Sequence, residues 1–411
     1  MSRLFQRTLI VCVFFSGWAL LRVGQINITL ADILFFICFG IVALQGRLTL
    51  TPFGGATPYW MIGNLLMLGG LFVSSLVNGD PLRWANIASQ YFDAYVLIPI
   101  LLASLDTDLT RKLPLAFVLG IVLSEIIGIT ATFFLHFHDV LGILGDGFIT
   151  GNDRLGAMSG QPNPNGGAIS FSMPMLIYAV RRKQIPLWMG IICGGILIWG
   201  LMLSASFTGF FATIMAVGCT LTLLGIRYVI RLSMVGMVAI GLFVASGAPL
   251  PAVFQERVGN AVSNQDIDEA GTFLNRAALI EEAWGLAEKT TFIGLGADKY
   301  RDFSQYQNPV HDLYLLMWTE GGCFALFGLM MLLGLVAALA LAGMKRSREE
   351  GAMATSVAFV FLIYTVSYPS MYSREWVMPI MVALATVYAR PGRREVEEAQ
   401  PQDETTIAAR I

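Results

Sequence analysis

The chain has 411 residues, of which 56% are apolar and 13% charged, with a formal net charge of −2. A charged share about half of the roughly 25% of soluble domains excludes an ordinary soluble fold. No basic face of the kind that binds nucleic acid stands out, so no nucleic-acid partner is expected.

In chain order, apolar runs between breakers predict spans over about 7–22, 28–45, 59–77, 86–105, 113–134, 164–180, 185–203, 207–225, 231–248, 321–343, 351–368 and 375–390. The stretch Met1–Leu21 has the basic start and apolar run of a signal sequence. No Ala-x-Ala cleavage site follows it and further spans do, so it reads as a retained first helix. Two connections are long, at about 135–163 and about 249–310. The second contains a helix candidate, Asn275–Glu288, with Asn275 as N-cap and Ala277, Ile280, Trp284 and Ala287 at helical spacing. It is too short and too charged to span and should lie on the outer face. The expected fold class is therefore all-α, a polytopic transmembrane helical bundle of about 12 spans. Residues 1–390 form a single transmembrane domain, and the polar tail 391–411 is expected to be disordered in the cytoplasm. The two halves show no internal repeat.

Orientation follows from Lys and Arg. With the N-terminus inside, the cytoplasmic segments hold 17 of the 26 basic residues. The short outer loops hold only Arg22, Arg83, Arg154 and Arg374, and the long loop, exempt from the rule, holds the rest. Both termini are expected in the cytoplasm, and the two long connections outside.

Cys12, Cys38, Cys193 and Cys219 lie inside apolar runs and Cys323 starts one; none has zinc or redox spacing. His136-Phe137-His138-Asp139 has the look of a metal pair, but no third or fourth ligand stands nearby, so no metal is expected. Gly294-x-Gly296 lacks the strand context of a nucleotide loop.

The outer-side cations sit in distinctive places. Arg154 stands in Asn152-Asp153-Arg154-Leu155-Gly156, ahead of Pro164-Asn165-Gly166. Arg276 opens the outer helix, Lys299 and Arg301 follow Gly294-Leu295-Gly296, and His311-Asp312 precedes the tenth span. Cations at the mouth of an apolar bundle suit an anion carried on a lipid, and Arg meets phosphate through paired hydrogen bonds. Each residue also has a bland reading. Arg22, Arg83 and Arg374 serve equally as interface anchors, Lys299 and Arg301 as loop solvation, and His311 as an interfacial histidine. The start of the sixth span, Pro164-Asn165-Gly166-Gly167, reads either as a plain helix start or as an anion site built from free N–H groups. Two other functions stay open: a 12-helix secondary transporter, weakened by a near absence of acids in the spans other than Glu125 and Asp32, and a lipid-linked-sugar flippase or export subunit.

Four stretches, in order, resemble the O-antigen ligase and O-antigen (exopolysaccharide) polymerase family of bacterial membrane proteins over about residues 150–345. They are Arg154 through Gly160 to Pro164-Asn165-Gly166; Leu203-Ser204-Ala205-Ser206-Phe207-Thr208-Gly209; Arg276, Trp284 and Phe292-Ile293-Gly294-Leu295-Gly296; and His311-Asp312-Leu313-Tyr314-Leu315 with Glu320-Gly321. Two positions depart from the family pattern, which often has Arg where Phe207 stands and Asn where Asp312 stands. Asp312 would be an acceptor able to hold the His311 imidazole as its cation. The resemblance implies an enzyme of surface polysaccharide biosynthesis in the inner membrane, with its active site facing the periplasm. It would transfer a glycan from undecaprenyl diphosphate to a sugar hydroxyl, on lipid A-core for a ligase or on another lipid-linked repeat for a polymerase. It would need no cofactor and no metal. The roles that follow are His311 as general base, Arg154 and Arg276 on the diphosphate, and Arg301, Lys299, Asp312, Asn165 and Arg83 as further substrate-binding residues.

Overall fold

The structure is a computed structural model that describes residues 2–22, 28–134, 143–247, 249–259, 273–369 and 373–389. The predicted tail 391–411 and the His136–Asp139 stretch lie outside the described residues. Among those residues the chain is helical, with no strand and only isolated bridges at Arg22–Thr29 and Ile149–Leu155.

The principal helices are α1 (Arg3–Phe15), α2 (Leu30–Leu44), α3 (Thr57–Val77), α4 (Pro81–Ala103), α5 (Leu113–Phe134), α6 (Pro162–Arg181), α7 (Leu187–Ser204), α8 (Phe207–Leu224), α9 (Ile226–Ala245), α10 (Phe273–Lys289), α11 (Leu313–Arg346), α12 (Arg348–Thr365) and α13 (Arg374–Tyr388). Every predicted span falls on one of them. Six helical stretches are long and apolar enough to cross a membrane: Gly54–Val77, Pro81–Ala103, Thr107–Phe134, Leu187–Ser204, Phe207–Leu224 and Leu313–Arg346. The chain is a helical membrane protein.

Several boundaries differ from the sequence reading, each for a local reason. The first helix stops at Phe15. Gly17 lies so close to α5 that an added Cβ would sit 2.5 Å from Ile121 Cδ1, and Trp18 then donates from Nε1 to Gly120 O (3.0 Å), pulling the chain out of helix. Helix α2 starts on a capping box, with Thr29 and Asp32 satisfying each other's backbone N–H. Helix α4 begins five residues earlier than expected, because Asp80 caps it and Pro81 suits its first turn. It passes through a π-helical turn at Asp93–Leu97 just before Pro99, whose missing N–H would otherwise break the ladder. Helix α10 begins at Phe273, so Asn275 lies inside it and is not its N-cap. Its buried stripe is Leu279, Ala283 and Ala287; Ala277 and Ile280 are exposed, and Trp284, half-exposed, packs edge-on against Trp318 of α11 (ring centroids 5.4 Å), leaving Ala287 as the one predicted stripe residue that is fully buried.

Helix α11 is two helices joined at Gly322, whose φ of 71° is left-handed. A Cβ there would meet Phe292 O at 2.3 Å, so only glycine admits the chain Thr291–Gly296 against the break. That chain is stitched along α11, with Leu295 N donating to Thr319 O (2.8 Å) and Cys323 N to Thr291 O (2.8 Å). It is tied to the end of α3 by Gly294 N to Ser74 Oγ and Ala297 N to Ser75 Oγ, both 2.9 Å. The Gly294-x-Gly296 motif is thus a close-packing device.

The two long connections meet at one end, the loop face, where Arg257 and Arg276 of the second lie close enough to Arg154 of the first to act on its charge. The opposite end is locked by ions. Fully buried Glu350 accepts from Arg111 Nε (3.2 Å), Tyr178 Oη (3.3 Å), Arg182 and Ser347, while Glu349 pairs with Arg181 and Arg182, joining α5, α6 and α12.

Candidate functional site

The segment between α5 and α6 presents Arg154. Phe148 is fully buried, Asp153 takes a left-handed turn (φ 55°) closed by Thr150 N to Arg154 O (3.0 Å), and Leu155 N donates to Leu203 O (3.0 Å) at the end of α7. This fixes the Arg154 backbone on the α7–α8 hairpin. The side chain then donates from Nε to Ser204 O (2.9 Å) and from Nη2 to Asn163 Oδ1 (3.0 Å). The same Asn163 oxygen accepts from Ser206 Oγ (3.2 Å), and Ser206 caps α8 through Gly209 N (3.2 Å). The hairpin Leu203–Gly209 therefore serves this site by holding Arg154. Phe207, where the family pattern often has a cation, is largely exposed.

Two more arginines converge on Arg154. A turn at Ala252–Phe254, leading into a π-helical turn at Gln255–Gly259, docks through Phe254 on Phe210 of α8 (ring centroids 5.5 Å) and brings Arg257 in. Helix α10 brings Arg276. Burial, and then the neighbouring guanidiniums of Arg257 and Arg276, push Arg154 down to about 10. Arg257 is lowered by burial, and Arg276 by burial and by Arg257. All three remain cations at neutral pH. No described carboxylate forms an ion pair with Arg154 or Arg276. A concentration of positive charge held partly out of water is a preorganised anion site.

His311 stands at the edge of this cluster, half-buried, with Nδ1 lacking a hydrogen-bond partner. Burial and the Arg276 charge lower its pKa, so the imidazole is the free base at neutral pH. Asp312 does not orient it: its carboxylate caps α11, Oδ1 accepting from Leu315 N (2.9 Å). The expected Asp312–imidazolium contact is replaced by helix capping, which uses the same short side chain.

Asn165 is fully buried beneath the cluster and donates to Leu155 O (3.5 Å), supporting the Arg154 segment from below. The expected row of free N–H groups at the start of α6 is cut down. The helix begins at Pro162, Pro162 and Pro164 carry no N–H, and Asn165 N is bonded to Gln161 O (3.0 Å). Only Asn163 can offer one in that turn.

Arg83, Lys299 and Arg301 form a second group. Arg83 pairs with Asp302 (3.0 Å) and donates to Asp298 O (3.0 Å), Lys299 pairs with Asp302 (3.2 Å), and Arg301 pairs with Asp298 (3.0 Å). Buried Glu320 fastens the same turn, accepting from the backbone N–H of Asp298 (2.9 Å) and Tyr300 (3.2 Å). Their charges are matched locally, unlike those of Arg154 and Arg276. Among the described residues no group of His, Cys, Asp and Glu has the makings of a metal site.

Arg257 and Asn163 are absent from the residues singled out in the sequence. For Arg257 the one available signal is Phe254 three residues earlier, an aromatic anchor on the same turn.

The model of the O-antigen ligase family matches residues 192–330. That stretch, about a third of the chain, is similar to the O-antigen ligase family. The matched stretch begins within α7 and runs past the kink of α11. It contains the α7–α8 hairpin, Arg257, Arg276 and His311; Arg154 and Asn163 precede it. No curated protein matches the chain in sequence. Members of that family are glycosyltransferase-like ligases and polymerases.

Proposed function

We propose that the chain transfers a glycan from undecaprenyl diphosphate to a sugar hydroxyl at the periplasmic face of a bacterial inner membrane. What supports the reading is the convergence of Arg154, Arg257 and Arg276 beside a neutral His311, within and just ahead of the family-matched stretch. His311 takes the proton of the acceptor hydroxyl as that oxygen attacks the anomeric carbon. The bond from that carbon to the diphosphate oxygen breaks, and undecaprenyl diphosphate leaves with the charge. The arginines hold the diphosphate and stabilise charge growing on it; removing one such contact typically costs about 10²–10³ in rate. The acceptor is a glycan or lipid A-core, and the donor's tail stays in the bilayer. The sidedness rests on the basic bias, with 17 of 26 Lys and Arg on the opposite face and at the chain ends. It puts both termini in the cytoplasm.

The test is deletion of the gene in its host, complemented by wild type, His311→Ala or Arg276→Ala, with surface polysaccharides run on a silver-stained gel. Both variants should reach the membrane and fail to restore the pattern. Loss of long chains with one repeat kept on core identifies a polymerase. Loss of all repeats from core, with lipid-linked polymer accumulating, identifies a ligase. Restoration by both variants would remove His311 and Arg276 from the mechanism.

A further inference from the structure

A cavity of about 200 Å³ lies between the end of α1 and the starts of α2 and α13. Its polar walls are Arg22, Asp32, Tyr368, Ser373, Arg374 and Glu375. Arg374 pairs with buried Asp32 and reaches Asp93 (3.4 Å); Asp32 also accepts from Thr29 N (2.6 Å), and Glu375 accepts from Ser373 Oγ (3.1 Å).

The chemistry of these walls differs from that around Arg154. Here two guanidiniums face two carboxylates, with Asp93 behind them, so the cavity has no excess of positive charge to draw a diphosphate. The two arginines disfavour a metal cation. What remains is a ligand without net charge that both donates and accepts hydrogen bonds. Each hydroxyl of a sugar does both, and carboxylates and guanidiniums supply the complementary acceptors and donors. A tyrosine ring completes the wall.

The cavity is also connected to the arginine cluster. Tyr368 packs on Trp376 (4.9 Å), Trp376 on Tyr364 (4.8 Å), and Tyr364 Oη donates to Asn163 O (3.4 Å). Asn163 is the residue whose side chain accepts from Arg154. A chain of aromatic rings thus runs from the cavity to the residue that holds Arg154.

We propose that this cavity is a sugar-ring subsite for the glycan substrates, distinct from the diphosphate site. The proposal rests on the transfer reading above for its choice of glycan. The ring belongs either to the acceptor or to the donor's glycan.

The test uses the full chain in nanodiscs, with two probes measured by calorimetry. One is the host's surface-glycan repeat unit released as a free oligosaccharide; the other is inorganic pyrophosphate. Glu375→Gln and Tyr368→Leu leave the Asp32–Arg374 pair in place, and monodispersity checks their folding. Each should weaken the oligosaccharide at least tenfold and leave pyrophosphate within twofold. Arg276→Ala should do the reverse. In a transfer assay, a raised KM for the acceptor assigns the ring to the acceptor, and a raised KM for the lipid-linked donor assigns it to the donor. Oligosaccharide affinity within twofold of wild type in both cavity variants, or no oligosaccharide binding by wild type, would overturn the subsite. If the cavity variants lose oligosaccharide while wild type binds no pyrophosphate, the subsite stands and the diphosphate assignment falls.

Discussion

Arg154, in the long connection between α5 and α6, and Arg83, in the first turn of α4, end in opposite environments. Arg83 meets Asp302 at 3.0 Å, whereas Arg154 meets carbonyl and amide oxygens and two further cations. The consequence is testable by transfer rate at matched membrane levels. Arg257→Ala and Arg276→Ala should each lose about 10²-fold or more, the typical cost of one transition-state anion contact. Lys299→Ala should stay within about threefold, since exposed pairs contribute about 0–1 kcal/mol and its charge is already matched. His311 supplies a second prediction at this scale. Its pKa lies below the ordinary 6.5 because burial and Arg276 disfavour the imidazolium. A base must be unprotonated to act, so kcat/KM should be level through neutral pH and fall only on acidification below 6.5. A fall beginning above pH 7 would contradict that assignment. Arg154, Arg276 and His311 were legible as candidates because the family pattern names them. Arg257 was not, since Phe254 marks an anchored turn but not that the turn docks on Phe210 beside Arg154.

At the scale of elements, the apolar pattern located helices well and their ends less well. A run of apolar residues reports burial in lipid or core, and helix ends are set by caps, prolines and close approaches. Asp80 with Pro81 could have been read as the start of α4, and Thr29 with Asp32 as the capping box of α2. The stop of α1 at Phe15 could not, because it depends on Ile121 lying against Gly17. The stripe of α10 shows the same limit: Ile280 and Trp284 match helical spacing, yet the core takes Leu279, Ala283 and Ala287, because the docking surface chooses the face. The break at Gly322 carries the prediction for this scale. Gly322→Ala combines a positive φ with a 2.3 Å approach to Phe292 O, so it should strip Thr291–Gly296 from α11. The expected result is a lower thermal midpoint in detergent and loss of transfer, with Gly334→Ala, open on all sides, as the unaffected control.

For the whole molecule, the arrangement predicts sidedness. With the wild-type cysteines removed, a cysteine at Asp153, beside the site, should react with a membrane-impermeant maleimide in intact cells freed of their outer barrier. One at Lys183, beside the Glu349–Glu350 lock, should react only after the membrane is opened. The reverse labelling would invert the topology and remove the periplasmic assignment. What the sequence by itself determined was the membrane class, the place of the helices, the charge bias between the two ends and the order of the family stretches. These are local properties, carried by the length of apolar runs and the residues beside them. What only the tertiary structure decided was which cations stand beside carboxylates and which stand beside one another. Arg83 finds Asp302 and Arg154 finds Ser204 across long stretches of chain, and such partners are chosen by how the helices pack. Electrostatic character follows from that choice, so a count of arginines along the chain could not separate the structural ones from those that converge with His311.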